Sequence, residues 1–337
     1  MQVREYIARR LLTLPLLMLG VSILVFGLSR VGGSPIGIYI EHEMSPAEIA
    51  QLEERYGLDE SLPQQYIAWL GGVVRGDLGW SGVSAAPVSS IILPKFMATM
   101  ELAMLAALIA VVLGLSMGTF GGARKNKLGD HLTRVVAISG ASIPIFWFGL
   151  LLLIVFYLGF GWAPLGRADP SIYARISHPT GLYTVDSLLN LDFGAFGDAL
   201  WHLALPAITM GYGSTAIIAR MMRSSLVEEL GEDYVDAARA KGLPERLVIR
   251  RHARRNALMP TMTVIGLSWG FLLQGTVVVE LIFNWPGLGR WMTDAVLQGD
   301  QATIMSYVLI TSIIFLGVNL IVDVAYAYLD RRVVLGE

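Results

Sequence analysis

Cysteine is absent from this 337-residue chain. Disulfides, thiolate metal sites and cysteine nucleophiles are therefore excluded. Charge is scarce as well: Asp, Glu, Lys and Arg make up 15% of the residues, where about a quarter is usual for a globular protein. The dipeptide Gly-Lys does not occur, so the chain has no GxxxxGK[ST] phosphate loop of its own. An HExxH motif is missing, and the five histidines (His42, His131, His178, His202 and His252) are scattered. No Ser/His/Asp set has motif support. Neither catalysis nor a bound metal or cofactor is expected in this chain. A net charge of −2 gives no bias toward nucleic acid.

What is abundant is apolar sequence. Hydrophobic residues make up 54% of the chain, and its mean hydropathy is +0.59. Residues 11–28, 102–123, 135–166, 199–219, 256–279 and 301–322 contain no Asp, Glu, Lys or Arg. About 20 apolar residues span a bilayer as a helix. Lipid offers no partners for open backbone, so such runs must be helical. Six spans are expected in an all-α integral membrane protein. The window 135–166 holds one span, roughly 135–158, followed by an apolar loop broken by Gly159, Gly161, Pro164 and Gly166. The first window is expected to be an uncleaved anchor, since 18 residues is long for a signal-peptide core and no small-x-small cleavage site is clear near Gly32.

Six spans put both termini on one side of the membrane, and Lys and Arg are retained in the cytoplasm. With the N-terminus inside, inner segments hold 18 of the 25 basic residues. The loop 31–95 holds three basic residues against eight acidic ones and is assigned to the exterior. The expected organisation is a cytoplasmic N-terminus and first span over 1–30, an external helical loop over 31–95, and a membrane core over 96–337. The core carries spans two to six and a cytoplasmic loop at 223–256. In the external loop, Ser45 to Glu48 and Ser61 to Gln64 each form a capping-box pattern, and Gly57 fits a helix stop. Tyr66, Trp69, Leu70 and Val73 make an apolar face at helical spacing. Two short helices are expected there, serving either as a docking surface or as a packed cap.

The loop at 231–256 reads GEDYVDAARAKGLPERLVIRRHARRN. Its acids precede Tyr234, as suits a helix N-terminus. Ala237, Ala238 and Ala240 favour helix, and Gly242 follows as a C-cap. Pro244 can open a second helix, on which Arg246, Arg250 and Arg254 recur every four residues. An Ala-rich helix of about nine residues is marginal alone in water. Two readings follow from the residues: a small helix that lodges in a groove of a cytoplasmic partner, or an ordinary loop whose basic residues enforce topology and meet lipid headgroups.

Asp236-Ala237-Ala238-x-x-x-Gly242 resembles the EAA loop of ABC importer permeases, with Asp for the usual Glu. GEDYVDAARAKGLPERLVIRRHA, followed by NALMP, is similar more narrowly to the first, "B"-type permease of oligopeptide and dipeptide importers. So are YIARRLLTLPLLMLGVSILVF, YGLDESLPQQYIAWLGGVVRGDLGWS, IPIFWFGLLLLIVF, LPAITMGYGSTAIIARMMRSSLVEELGEDY and VVVELIFNWPGLG, in order along the chain. The departures are Gly32-Gly33-Ser34-Pro35 for an outer PGDP, Gly299-Asp300-Gln301-Ala302 for Arg-Asp-Tyr-Pro, and Arg255 for a proline after the EAA glycine.

The resemblance implies a type I ABC importer permease fold in the cytoplasmic (inner) membrane. It implies a second related permease, two cytoplasmic ATPase subunits that bind ATP and Mg, and an extracytoplasmic solute-binding protein as partners, with membrane lipid around them. It also implies that Asp233, Tyr234, Asp236, Ala237, Ala238, Lys241 and Gly242 form the ATPase-coupling helix. Short peptides are the leading substrate, with oligosaccharides and nickel chelates as alternatives within the same subfamily.

A stand-alone carrier or channel usually exposes ionisable groups at the membrane midplane. Here Glu101 and Glu280 fall near outer span ends, Asp323 near an inner one, and His202 about one turn into the fourth span. Snorkelling or inter-helix hydrogen bonding near the interface is the expected role of these groups, rather than substrate contact. Met97, Met100 and Met104 form a stripe that reads as pliable packing before it reads as a binding surface.

Overall fold

The computed structural model describes residues 3–31, 45, 47, 48, 51, 54 and 57–329. The segment 32–35, most of the first external helix expected after Ser45, and the pair Arg331 and Arg332 lie outside the described residues. Helices dominate. In chain order they are α1 (Val3–Val31), α2 (Leu62–Val74), α3 (Val88–Gly122), α4 (Leu128–Ser142) and α5 (Ile145–Leu152), which runs on as a wider π-helical stretch, Leu153–Gly159. Next come α6 (Pro170–Tyr173), α7 (Tyr183–Leu189), α8 (Phe193–Glu229), α9 (Asp233–Ala240) and α10 (Glu245–Leu247). A second π-helical stretch, Val248–Ala253, leads into α11 (Arg254–Ile282), and α12 (Leu288–Gln298) and α13 (Gln301–Leu329) follow. A two-residue hairpin pairs β1 (Trp80–Ser81) with β2 (Ala86–Pro87).

All six charge-free windows lie on helix for most of their length. Among the described residues, three helical stretches are long and apolar enough to cross a membrane unbroken: Leu12–Arg30 in α1, all of α3, and Gln301–Val318 in α13. The third window departs from expectation. Instead of one straight span over 135–158, α4 and α5 meet at a bend of 111°. Pro144 is the cause: it has no N–H to donate, and its ring drives the preceding residue out of the helical region. Ile143 accordingly sits at φ −85°, ψ 121°. The apolar run is continuous in sequence, but its backbone hydrogen bonding is not.

The chain folds as two compact units, one formed by residues 1–96 and 287–337, the other by 97–286. In the first unit α1 packs on α13. Both expected capping boxes form: Ser45 and Glu48 exchange hydrogen bonds, and Ser61 does so with Gln64. The face of α2 bearing Tyr66 and Trp69 packs on Val21, Phe26 and Met305, and the Tyr66 hydroxyl lies 2.8 Å from Ser22 Oγ. The β hairpin is tied down by Asp300, which is buried. Its carboxylate accepts from Ser81 Oγ at 3.0 Å, from Thr303 Oγ1 at 2.7 Å and from the Val83 N–H at 3.2 Å. Helix α12, between the last two apolar windows, was not anticipated. It starts at Gly287 and stops at Gly299, whose φ is +72°.

In the second unit α8 is central, packed by α4, α5, α7 and α11. Small residues let the helices approach closely. A Cβ on Gly118 would fall 2.6 Å from the Ala219 carbonyl oxygen, and one on Gly211 would fall 2.7 Å from that of Ala106. Leu102, Ala106, Leu203, Met210, Val279 and Trp285 form the core of this unit. Glu280 and Glu101, both buried, find partners on other elements. Glu280 accepts from Thr99 Oγ1 at 2.6 Å. Glu101 accepts from Arg167 Nη2 at 2.6 Å and from the Thr184 N–H and hydroxyl. His202 Nδ1 lies 2.9 Å from the Asp198 carbonyl oxygen one turn back. Glu101 and Glu280 thus bond to other elements, whereas His202 bonds within its own helix. Met97 packs against Gly181, while Met104 is exposed.

Candidate functional site

Helix α8 does not stop where its apolar window ends. It continues ten residues past Ala219 to Glu229 and carries the chain clear of the apolar region. A short turn follows, and α9 begins at Asp233 with acids at its first turn, where the helix dipole favours them. Only two α9 side chains are buried, Val235 and Ala238. They lie three apart, on one face, and seat the helix on Met222 and Leu226 of α8 and on Val248, Ala253 and Ala257 of the returning chain. Burying a valine fully contributes about 2 kcal/mol. That seat, rather than intrinsic propensity, holds a helix of eight residues.

The remaining sequence-expected site residues are on the outside. Asp233, Tyr234, Asp236, Ala237, Lys241 and Gly242 are all exposed. The structure places five of the seven expected residues on α9 and the other two, Lys241 and Gly242, in the turn that closes it; Ala238 is buried as a foot, and the other six are exposed. Gly242 has φ +77° and nothing within 4 Å of where a Cβ would stand. Its N–H bonds to the Arg239 carbonyl, closing the helix end.

Sequence reasoning missed two residues here. Val235 carries the seat, and its signal was the spacing Val235, Ala238. Arg239 is the staple: it donates to Asp236 Oδ1 at 2.9 Å, to Glu245 Oε1 at 2.9 Å and to the Leu230 carbonyl at 3.3 Å. The Glu245 and Asp236 carboxylates hold the Arg239 guanidinium charged well above its ordinary range. In return, Arg239 lowers the Glu245 carboxyl below its ordinary range. Burial, and then a hydrogen bond to Glu229, raise the Tyr234 phenol. The second helix of the loop is also not the regular basic helix expected. It is helical from Glu245 onward, but a π-helical stretch, Val248–Ala253, separates α10 from α11 and breaks the regular four-residue register of the arginines.

A buried carboxylate anchors α8 just before this site. Asp130, at the start of α4, is fully buried. It accepts from Arg223 of α8 through both carboxylate oxygens, from Arg134 Nη2 at 2.7 Å and from the Asn126 N–H at 2.9 Å. Further along, the bend at Pro144 folds α5 back onto α8. Phe148 stacks on Tyr212 at 4.2 Å, and the Tyr212 hydroxyl is 2.6 Å from Ser139 Oγ. A cavity of about 200 Å³ beside them is lined by Gly140, Phe148, Tyr212, Ser214 and Leu272. Helix α8 therefore touches both the loop and the apolar interior of this unit. Among the described residues no group of His, Asp and Glu could hold a metal ion.

Comparison with known proteins agrees with this layout. The family described as binding-protein-dependent transport system inner membrane component matches residues 110–335, and its N-terminal companion matches residues 3–103. The chain is 40% identical over 332 residues to the di/tripeptide transport system permease protein of Pseudomonas aeruginosa (strain UCBPP-PA14), covering 98% of each chain. It is 39% identical over 334 residues to the dipeptide transport system permease protein of Escherichia coli (strain K12), again covering 98% of each. It is 35% identical over 331 residues to the oligopeptide transport system permease protein of Bacillus subtilis (strain 168), covering 97% of this chain and 98% of that one. With helices that match its apolar windows and a family match over most of its length, this chain belongs to the binding-protein-dependent transport system inner membrane components and is an integral membrane permease.

Proposed function

We propose that this chain forms half of the translocation path of an ATP-driven importer for short peptides. The observation that carries the reading is end-to-end similarity to relatives named for di/tripeptide, dipeptide and oligopeptide transport. A second related permease supplies the other half of the path. Two ATPase subunits on the cytoplasmic side bind ATP and Mg, and an external binding protein delivers the substrate. The chain itself is non-catalytic.

The coupling residues are those of α9. Asp233, Tyr234, Asp236, Ala237 and Lys241 form the face that enters a groove of the ATPase, and Gly242 closes it without adding bulk. Val235 and Ala238 transmit the load, because they are packed on α8 and on the chain leading into α11. When ATP closes the ATPase dimer, α9 is pulled with it, and α8 follows as one stiff rod. The α4–α5 bend packed on α8 then changes its position and opens the path to the other side. This is rigid-body gating of a bistable packing arrangement.

The test is purification of the full chain from native membranes in mild detergent, with mass spectrometry of what accompanies it. Two P-loop ATPases, a second permease and a binding protein loaded with short peptide are expected. A binding protein loaded with oligosaccharide would overturn the substrate. A chain that purifies alone, under conditions that keep other membrane complexes intact, would overturn the importer.

A further inference from the structure

The basic residues around the α9 loop fall into two groups. Arg134 and Arg223 share Asp130, and Arg239 bridges Asp236 and Glu245. Arg124, Arg246, Arg250 and Arg254, by contrast, have no carboxylate partner among the described residues, and all four line a single cavity of about 530 Å³. The Nε of Arg254 has no hydrogen-bond partner among the described residues. A buried donor left unmade is costly, and native proteins fill it with water, an ion or a ligand. Four arginines facing one volume, three of them exposed to solvent, give it a positive potential that favours an anion.

The α3 side of the cavity is mixed, with the Ser116 and Thr119 hydroxyls beside Phe120 and Ala123. Phe120 and Ile249 border it, and the Arg124 guanidinium lies over the Phe120 ring at 3.9 Å. Along α3, Leu113, Ser116 and Phe120 follow at intervals of three and four residues, so they share one helix face. Leu113 and Phe120 are each 47% exposed, and Val112 beside them is 52% exposed. An apolar strip on a membrane-crossing helix thus runs into a pocket of arginines at that helix's end. The excess of Lys and Arg puts that end at the cytoplasmic leaflet. Basic pockets between spanning helices at that depth suit phosphate headgroups.

We propose that this cavity binds an anionic phospholipid of the inner leaflet. Its phosphate sits among Arg246, Arg250 and Arg254, and its acyl chain lies along Leu113 and Phe120. The lipid bridges the end of α3 and the segment joining α9 to α11, and so stiffens the base of the α9 loop. Guanidinium groups bind a phosphodiester by charge and by paired N–H donors.

The experiment is native mass spectrometry of the full chain with its co-purifying subunits, stripped of lipid and then exposed to defined probes. Phosphatidylglycerol should be retained, phosphatidylcholine with the same acyl chains should not, and millimolar inorganic phosphate should not displace the lipid. R246Q/R250Q should weaken phosphatidylglycerol binding on the order of tenfold, given the attraction of each basic residue to an anionic leaflet, while R246K/R250K should keep most of it. Equal retention of both lipids would overturn the proposal, as would unchanged binding by R246Q/R250Q. Displacement by inorganic phosphate would assign the cavity to a free anion instead. Should R246Q/R250Q fail to assemble, the unaltered protein still decides: phosphatidylglycerol must raise its thermal stability more than phosphatidylcholine does, and equal effects would sink the idea.

Discussion

Gly242 shows how much one backbone position can carry. At φ +77° an L side chain is strained by about 1 kcal/mol, and Asn tolerates the conformation better than other residues. Since nothing lies near its absent Cβ, the cost of a substitution is conformational, plus whatever the new side chain does to a docked partner. Gly242→Asp should leave the chain inserted and folded but weaken retention of the ATPase on purification, with ATP-dependent uptake falling alongside. Gly242→Val should be at least as damaging, through strain on the turn. Normal uptake by Gly242→Asp would remove α9 as the coupling helix.

Asp130 makes the opposite point, because its value lies in its partners. Removing one member of a buried charge cluster costs about 3 kcal/mol, less where a partner reaches water, as Arg134 does. Asp130→Ala should therefore lower the midpoint of thermal unfolding in detergent by several degrees. Arg134→Ala should do so by much less. Equal shifts would mean that Arg223 is not the main partner.

At the scale of elements, the contact between α3 and α8 rests on the absence of side chains. A membrane interior offers no hydrophobic driving force between helices, so close packing of small residues must hold them. Gly118→Leu would push a side chain into the Ala219 carbonyl and Met222, which lie 2.6 Å from its first carbon. Overpacking of this kind costs about 1–3 kcal/mol. Gly20→Leu, on α1 with nothing within 4 Å, should change stability little. Comparing the two variants by thermal unfolding in the same detergent checks this, and similar losses would refute the close-approach argument.

At the scale of the whole molecule, the cysteine-free sequence makes orientation directly measurable. Single cysteines at Asn190 and Lys241 bracket α8, the first just before its start and the second after α9, beyond its C-terminal end. A membrane-impermeant thiol reagent added to intact cells should label N190C and leave K241C untouched until the membrane is opened. The reverse pattern would invert the topology drawn from the Lys and Arg distribution.

The sequence alone determined that this is a helical membrane protein, where its apolar helices run, and that a small charged helix ends at Gly242. Each of these depends on local rules. A run of about 20 apolar residues must be helical in lipid, and a glycine after alanines ends a helix wherever it occurs. Only the tertiary structure decided that Pro144 folds a single apolar window into two helices at 111°, because a proline can either kink a span or break it, and its surroundings choose. It also decided that Ala238 is buried while Ala237 is presented, that Asp300 ties down a hairpin more than 200 residues earlier, and that four arginines without acids share a cavity. Those facts depend on which residues distant in sequence meet in space, and spacing along the chain carries no record of that.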